Sequence, residues 1–224
     1  MKNIFILSLL FVSIQSYCQQ IPLNKYGLPV VNSLALYQEI VRADPQQALV
    51  RVTDFAMDVR YATMDNFTKT VLYPFPAVFL RRPAYEALLR LQEYLEPLGL
   101  GIKIYDGYRP YRVTEKMWEI VPDDRYAADP KKGSGHNRGV AVDLTLIYLK
   151  TGREMPMPTP YDDFTEKAHH EYQDLGDEVK ENRMLLRTLM EAHGFVALET
   201  EWWHYYLKDP QKYPLMDIGF EELK

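Results

Sequence analysis

The 224-residue chain has one cysteine, Cys18. A lone cysteine excludes an intramolecular disulfide and any metal site built from several thiolates. Basic residues are in deficit: 26 Lys and Arg stand against 31 Asp and Glu, for a net charge of -5. Nothing in that balance suggests nucleic-acid binding, which normally needs a basic patch or stripe. No apolar run reaches the roughly 20 residues that a membrane-crossing helix requires. Internal repeats and low-complexity linkers are also missing. What remains suits one folded domain: 47% of residues are hydrophobic, and the 17 Tyr among 13% aromatics favour a packed core over a disordered chain.

The N-terminus reads as a targeting segment. Met1-Lys2-Asn3 gives a short positive start, and Ile4 to Ile14 is apolar except for Ser8 and Ser13. Ser16-Tyr17-Cys18 then puts small residues three and one positions before a cut at Cys18-Gln19, the pattern of a secretory signal peptide. The expected organisation is a signal peptide at 1–18, a lead-in at 19–50 and the main domain at 51–224, in an exported, periplasmic protein. The rival reading is a lipoprotein acylated on Cys18, but Gln15 occupies the position where such signals want an aliphatic residue. Cleavage after Cys18 leaves no cysteine and no membrane span in the mature chain. Oligomeric state is not legible.

Periodicity predicts an α+β domain, a mainly antiparallel central sheet flanked by helices. A short helix is expected around Ser33 to Ala43 and a strand over Val50 to Val59. Pro83 opens a helix whose Ala84, Leu88, Leu91 and Leu95 recur at helical spacing, closed by Pro97-Leu98-Gly99. Ile102 to Tyr105 reads as a strand, with a second helix after Pro110. Val140 to Leu146 alternates apolar residues with Ala141, Asp143 and Thr145, a strand signal. Asp177 to His193 reads as a helix stopped by Gly194, and Phe195 to Leu207 as strand, in hairpin form if it folds back. Segments 61–76 and 152–175 are long and irregular.

Three segments put polar residues beside strands. The first is Ser134-Gly135-His136-Asn137-Arg138-Gly139-Val140-Ala141-Val142-Asp143. An acid inside an apolar strand is costly unless it is paired, hydrogen-bonded or metal-bound. The small face neighbours Ala141 and Thr145 leave room for an ion; hydrogen bonds from a neighbouring loop would serve equally well. The second is Glu201-Trp202-Trp203-His204-Tyr205, which alone fits a core histidine beside a solvated acid as well as a site. Residues three apart in a strand face opposite sides, so a shared site requires a turn or bulge between Glu201 and His204. The third is Asp106-Gly107-Tyr108-Arg109-Pro110, a tight turn from which Arg109 projects; alone it reads as a surface or salt-bridged arginine.

Together the segments suit one chemistry. Two imidazoles and one carboxylate form a standard zinc set with a fourth position left for water. The formal charge there, +2 - 1 = +1, lowers the pKa of that water towards about 7. Glu201 could then move protons and Arg109 could stabilise an oxyanion. His170-Glu171 is followed by Tyr172-Gln173-Asp174, so the helix-borne His-Glu-x-x-His site is excluded.

Asp-Gly-Tyr-Arg-Pro at 106–110, Ser-x-His-x-x-Gly-x-Ala-x-Asp at 134–143 and Glu-Trp-Trp-His at 201–204 resemble the D-alanyl-D-alanine dipeptidases, the VanX type of zinc D-Ala-D-Ala peptidase. The resemblance runs from about Thr53 to the C-terminus and includes Arg60-Tyr61-Ala62-Thr63, Asp163-Phe164 and His169-His170. It implies one zinc per chain held by His136, Asp143 and His204, with Glu201 as catalytic acid and base and Arg109 as transition-state stabiliser. It also implies that Ser134 hydrogen-bonds the substrate, that Asp163 meets its ammonium, and that the substrate is a small dipeptide. Two alternatives remain at this stage: a D,D-carboxypeptidase or peptidoglycan endopeptidase on the same zinc site, and a non-catalytic zinc-bound wall-binding module. A dipeptidase must close both ends of its pocket, and segments 61–76 and 152–175 are the candidates to do so.

Overall fold

The computed structural model describes residues 21–223; the expected signal segment at 1–18 lies outside the described residues. Strand β1 (Val30–Val31) leads into helix α1 (Leu34–Ala43), started by Ser33, whose hydroxyl accepts the Leu36 N–H. The segment expected as one strand over 50–59 is two: β2 (Leu49–Arg51) and β3 (Ala56–Met57). They separate because their partners differ. β2 pairs antiparallel with β4 (Phe79–Arg81), whereas β3 adds in parallel to β5 (Leu100–Asp106). Between β4 and β5 runs helix α2 (Arg82–Leu95), with Pro83 in its first turn and Ala84, Ala87, Leu88, Leu91 and Leu95 buried. A short 3-10 turn carries the chain to Gly99, whose φ of 73° ends the helical path as its sequence position suggests.

Helix α3 (Tyr111–Ile120), the four-residue helix α4 (Gly135–Arg138) and strand β6 (Ala141–Tyr148) follow. Helix α5 (Asp177–Ala192) has Asp177 and Glu178 in its first turn, where negative charge suits the helix dipole. Strands β7 (Phe195–Ala197), β8 (His204–Leu207) and β9 (Leu215–Met216) close the chain, β9 pairing in parallel with β1.

The main sheet has the order β3-β5-β6-β8-β7. Every neighbouring pair in it is antiparallel except β3–β5, so the sheet is mixed at one edge and antiparallel elsewhere. Helix α2 packs on β5 and helix α5 on β7, which gives the flanked sheet expected from the sequence. Strand β6 is central and buried from Ala141 through Ile147. The alternation in its sequence therefore does not mark a wet face; it separates a large-apolar face from one of Ala141, Asp143 and Thr145, which serves the site.

One irregularity matters for chemistry. The β5–β6 register shifts between Ile104 and Asp106, so Asp106, and not Tyr105, lies opposite Asp143. A bulge of this kind re-aims a side chain at the end of a strand, here bringing a second acid to the mouth of the sheet.

Candidate active site

His136, Asp143 and His204 reach one point by three routes. Asp143 and His204 are register partners on β6 and β8, so their side chains are neighbours on one face of the sheet. His136 arrives from α4, which is built almost entirely by caps. The Ser134 hydroxyl accepts the Asn137 N–H, and the Asn137 amide oxygen accepts the Ser134 N–H in return. Gly139, at φ 72°, ends the helix; a β-carbon there would stand 2.7 Å from Leu49 Cδ2. The Asn137 amide also donates to the Arg109 carbonyl (3.0 Å) and to Thr114 Oγ1 (2.8 Å), which ties α4 to the Arg109 turn and to α3.

Glu201 comes to the same place through a bend. The Glu201 N–H donates to Leu198 O and the His204 N–H donates to Glu201 O, so the chain turns through Trp202 and Trp203 before β8 begins. The turn demanded by the three-residue spacing is present. Both tryptophans are buried and anchor it, Trp202 by an indole N–H bond to Thr159 Oγ1 of 2.9 Å.

The three candidate ligand atoms all lie within 4.8 Å of one another. His204 Nδ1 is 2.9 Å from Asp143 Oδ1, and His136 Nε2 is 3.4 Å from the same oxygen. His136 Nδ1 lies 2.7 Å from the Gly107 carbonyl. A carbonyl only accepts, so Nδ1 carries the proton and the Nε2 lone pair faces the cluster. Burial by itself would raise the Asp143 carboxyl, but His136 and then His204 outweigh it and hold it below the usual carboxylate range. Its second oxygen, Oδ2, accepts the Tyr161 hydroxyl at 3.0 Å.

Glu201 Oε2 lies 4.0 Å from His204 Nδ1. Burial pushes the Glu201 carboxyl up to about 7; His204 opposes the shift while Asp143 and Asp162 add to it. A carboxyl poised there can both take and return a proton near neutral pH. Arg109 is buried, its Nε and Nη2 donating to Asp106 Oδ2 at 3.2 and 2.7 Å. Burial works against its charge, but Asp106 prevails and keeps the guanidinium protonated. Its Cζ sits 5.2 Å over the Tyr61 ring, and Asp106 is itself fixed by the Tyr73 hydroxyl (2.7 Å) and the Gly107 N–H (2.8 Å).

A cavity of about 190 Å³ gathers Arg109, Ser134, His136, Asp143, Glu201 and His204. Both irregular segments reach it, through Tyr61 from one side and Asp162 and Phe164 from the other, and Tyr126 and Ala127 add a third wall. Asp163 is the exception among the expected residues. Its Oδ1 accepts the Thr165 N–H, and it lines a neighbouring cleft with Phe67 and Val121. Its neighbour Asp162 is the acid that lines the cavity shared by His136, Asp143 and His204. Asp162 adopts a left-handed φ of 64°, its Oδ1 accepts the Tyr61 hydroxyl at 3.1 Å, and its buried Oδ2 has no hydrogen-bond partner among the described residues. Burial, reinforced by Asp143, pushes its carboxyl up to about 8. Ser134 lines the cavity, yet its hydroxyl is already engaged in the α4 cap.

Sequence reasoning missed Asp162, Asp106, Tyr161 and Asn137. Two adjacent acids, Asp162 and Asp163, were visible, but which one turns inward depends on a single left-handed residue. Asp106 stands three positions before Arg109 in the same motif, so spacing alone could have paired them.

Residues 43–220 match the peptidase M15 family described as D-ala-D-ala dipeptidase. A D-alanyl-D-alanine dipeptidase of Escherichia coli (strain K12) is 34% identical over 167 residues, covering 75% of this chain and 86% of that protein. One of Enterococcus faecium is also 34% identical, over 177 residues, covering 70% of this chain and 87% of that protein. One of Streptomyces coelicolor is 35% identical over 178 residues, covering 70% and 88%. Among solved structures, VanYB in complex with D-alanine-D-alanine aligns with a TM-score of 0.39 and 14% identity over 60% of this chain and 74% of that one.

Proposed function

The chain belongs to the D-Ala-D-Ala dipeptidases of the peptidase M15 family, and we propose that it hydrolyses the free dipeptide D-Ala-D-Ala to two D-alanines with a single zinc ion held by His136, Asp143 and His204. The observation that carries this is the placement of that candidate ligand set and Glu201 in one small cavity, with Asp162, whose Oδ2 has no hydrogen-bond partner among the described residues, in its wall.

The donor set fits zinc: two neutral nitrogens and one carboxylate oxygen, buried or half-buried, with the His136 tautomer fixed by Gly107 O. Zinc in such a set supplies a water acidic enough to attack at neutral pH and polarises the carbonyl under attack. The residues of the chain do the rest. Glu201 takes the proton of the attacking water and passes it to the departing amine, as a carboxyl near 7 can do in both directions. Arg109, aimed and kept charged by Asp106, meets the negative charge that develops on the carbonyl oxygen. Asp162 Oδ2 receives the substrate's ammonium group. Burial and the Asp143 charge raise its carboxyl, and an arriving ammonium, like a bound cation, supplies positive charge that favours the carboxylate.

Asp162 also supports the dipeptide over a longer D,D-peptide. A carboxypeptidase substrate continues through an amide where the dipeptide has its ammonium, and a carboxylate facing an amide gains no ion pair. Asp162→Asn is accordingly expected to lower kcat/KM for D-Ala-D-Ala by about 10–100-fold, mainly through KM, the loss of one charge-assisted contact. Steady-state release of D-alanine reads this directly.

The function itself is tested by comparing free D-Ala-D-Ala with a stem pentapeptide ending in the same residues, with and without chelator. Cleavage of the dipeptide, with slow or absent cleavage of the pentapeptide, supports the proposal. Cleavage of the pentapeptide alone overturns it in favour of a carboxypeptidase.

A further inference from the structure

Among the described residues, the hydroxyl of Tyr161 has one hydrogen-bond partner, Asp143 Oδ2, at 3.0 Å. The other oxygen of that carboxylate, Oδ1, is the one that approaches His204 Nδ1 and His136 Nε2. Tyr161 thus divides the Asp143 carboxylate into an oxygen turned to the ligand cluster and an oxygen held away from it. The ring that carries the hydroxyl is fixed on three sides. It stacks on Tyr105 at 4.4 Å and 13°, meets the face or edge of Trp203 at 5.6 Å and 81°, and meets Tyr61 at 6.3 Å. Only 4% of Tyr161 is exposed.

We infer that Tyr161 is a positioning residue for the metal: by holding Asp143 Oδ2 it limits Asp143 to one ligand oxygen and leaves a coordination position open. The inference rests on the proposed zinc site and deepens it. A carboxylate free to rotate can offer both oxygens to a cation, which fills a position that a catalytic site needs for water or substrate. Hydrogen bonds from outside the ligand set orient ligands in this way, and their loss typically weakens metal binding by about 10–100-fold.

The geometry also separates two neighbouring tyrosines. Tyr161 donates to the ligand Asp143, whereas Tyr61 donates to Asp162, which contacts none of the three ligands by hydrogen bond. At the left-handed Asp162 the two consecutive side chains part: Tyr161 reaches Asp143, and Asp162 lines the cavity.

The test compares Tyr161→Phe and Tyr61→Phe. Each removes one oxygen and keeps its ring. Zinc affinity is measured by competition with a chromophoric chelator, and the metal-free melting temperature is recorded alongside it. Tyr161→Phe is expected to weaken zinc binding about 10–100-fold and to lower kcat with little change in KM. Tyr61→Phe is expected to leave zinc affinity unchanged and to raise KM. Cobalt-substituted protein adds a second readout: the visible spectrum of Tyr161→Phe should shift as the coordination number changes, and that of Tyr61→Phe should not. Zinc affinity of Tyr161→Phe within twofold of wild type, or equal losses in both variants, overturns the inference. Wild-type protein that fails to bind zinc at all overturns the proposed function instead, so the two failures are distinct.

Discussion

Glu201→Gln is expected to lower kcat on D-Ala-D-Ala by about 10²–10⁴-fold while zinc content stays at the wild-type level. Gln matches Glu in size and can still accept a hydrogen bond, but it cannot carry a proton from the attacking water to the leaving amine. Glu201 is suited to that task because burial raises its carboxyl to about 7, with Asp143 and Asp162 adding to the shift. The sign of the pH dependence follows. The first step needs the carboxylate, so kcat/KM falls as pH drops through the Glu201 pKa. A bound cation favours the carboxylate, which places that acidic limb at or below about 7. In the Gln variant the limb should vanish from whatever activity remains. Kinetics of D-alanine release across the acidic and neutral range, with elemental analysis of the same samples, measure both effects. A fully metallated Gln variant turning over at the wild-type rate would remove Glu201 from the chemistry.

Arg109→Ala should cost about 10²–10³-fold in kcat, the scale of losing one preorganised donor to developing negative charge. A stability loss should accompany it, because Asp106 is buried and loses its counter-charge; breaking such a pair costs on the order of 3–5 kcal/mol. Asp106 keeps its bonds from Tyr73 and Gly107 N–H, which argues that the variant still folds. Arg109→Lys separates the two effects. It restores a charge near Asp106 but not the fork that donates to Asp106 through Nε and Nη2. Stability should largely return and kcat only in part. Chemical denaturation and steady-state kinetics on the two variants check this. Recovery of both by lysine would mean that Arg109 acts as a charge alone.

Much of this site was legible in the sequence because its parts are local. The Ser134–Asp143 segment, the Arg109 turn and the Glu201–His204 segment each carry their chemistry within a few residues, and the bend before His204 follows from the two-residue period of a strand. Helices α2 and α5 were legible through their stripes and their stops at Gly99 and Gly194. Other features depend on what lies far along the chain. Strands β1, β3 and β9 have two residues each, too few for any period, and exist only through partners. Helix α4 has four residues and is held by its caps and by Asn137, so periodicity could not reveal it. The choice of Asp162 over Asp163 rests on one backbone angle, and Tyr161 finds Asp143 from 18 positions along the chain, across the end of β6 and the irregular segment after it.

The central claim is that the cluster of His136, Asp143 and His204 holds the zinc that D-Ala-D-Ala hydrolysis requires. It is tested most directly by following D-alanine release from the free dipeptide on one sample, as purified, after chelation and after zinc is returned, with zinc per chain determined at each stage. The expected result is one zinc per chain, activity lost with the metal and restored by zinc at that same ratio. Undiminished release of D-alanine from protein stripped of metal would contradict it.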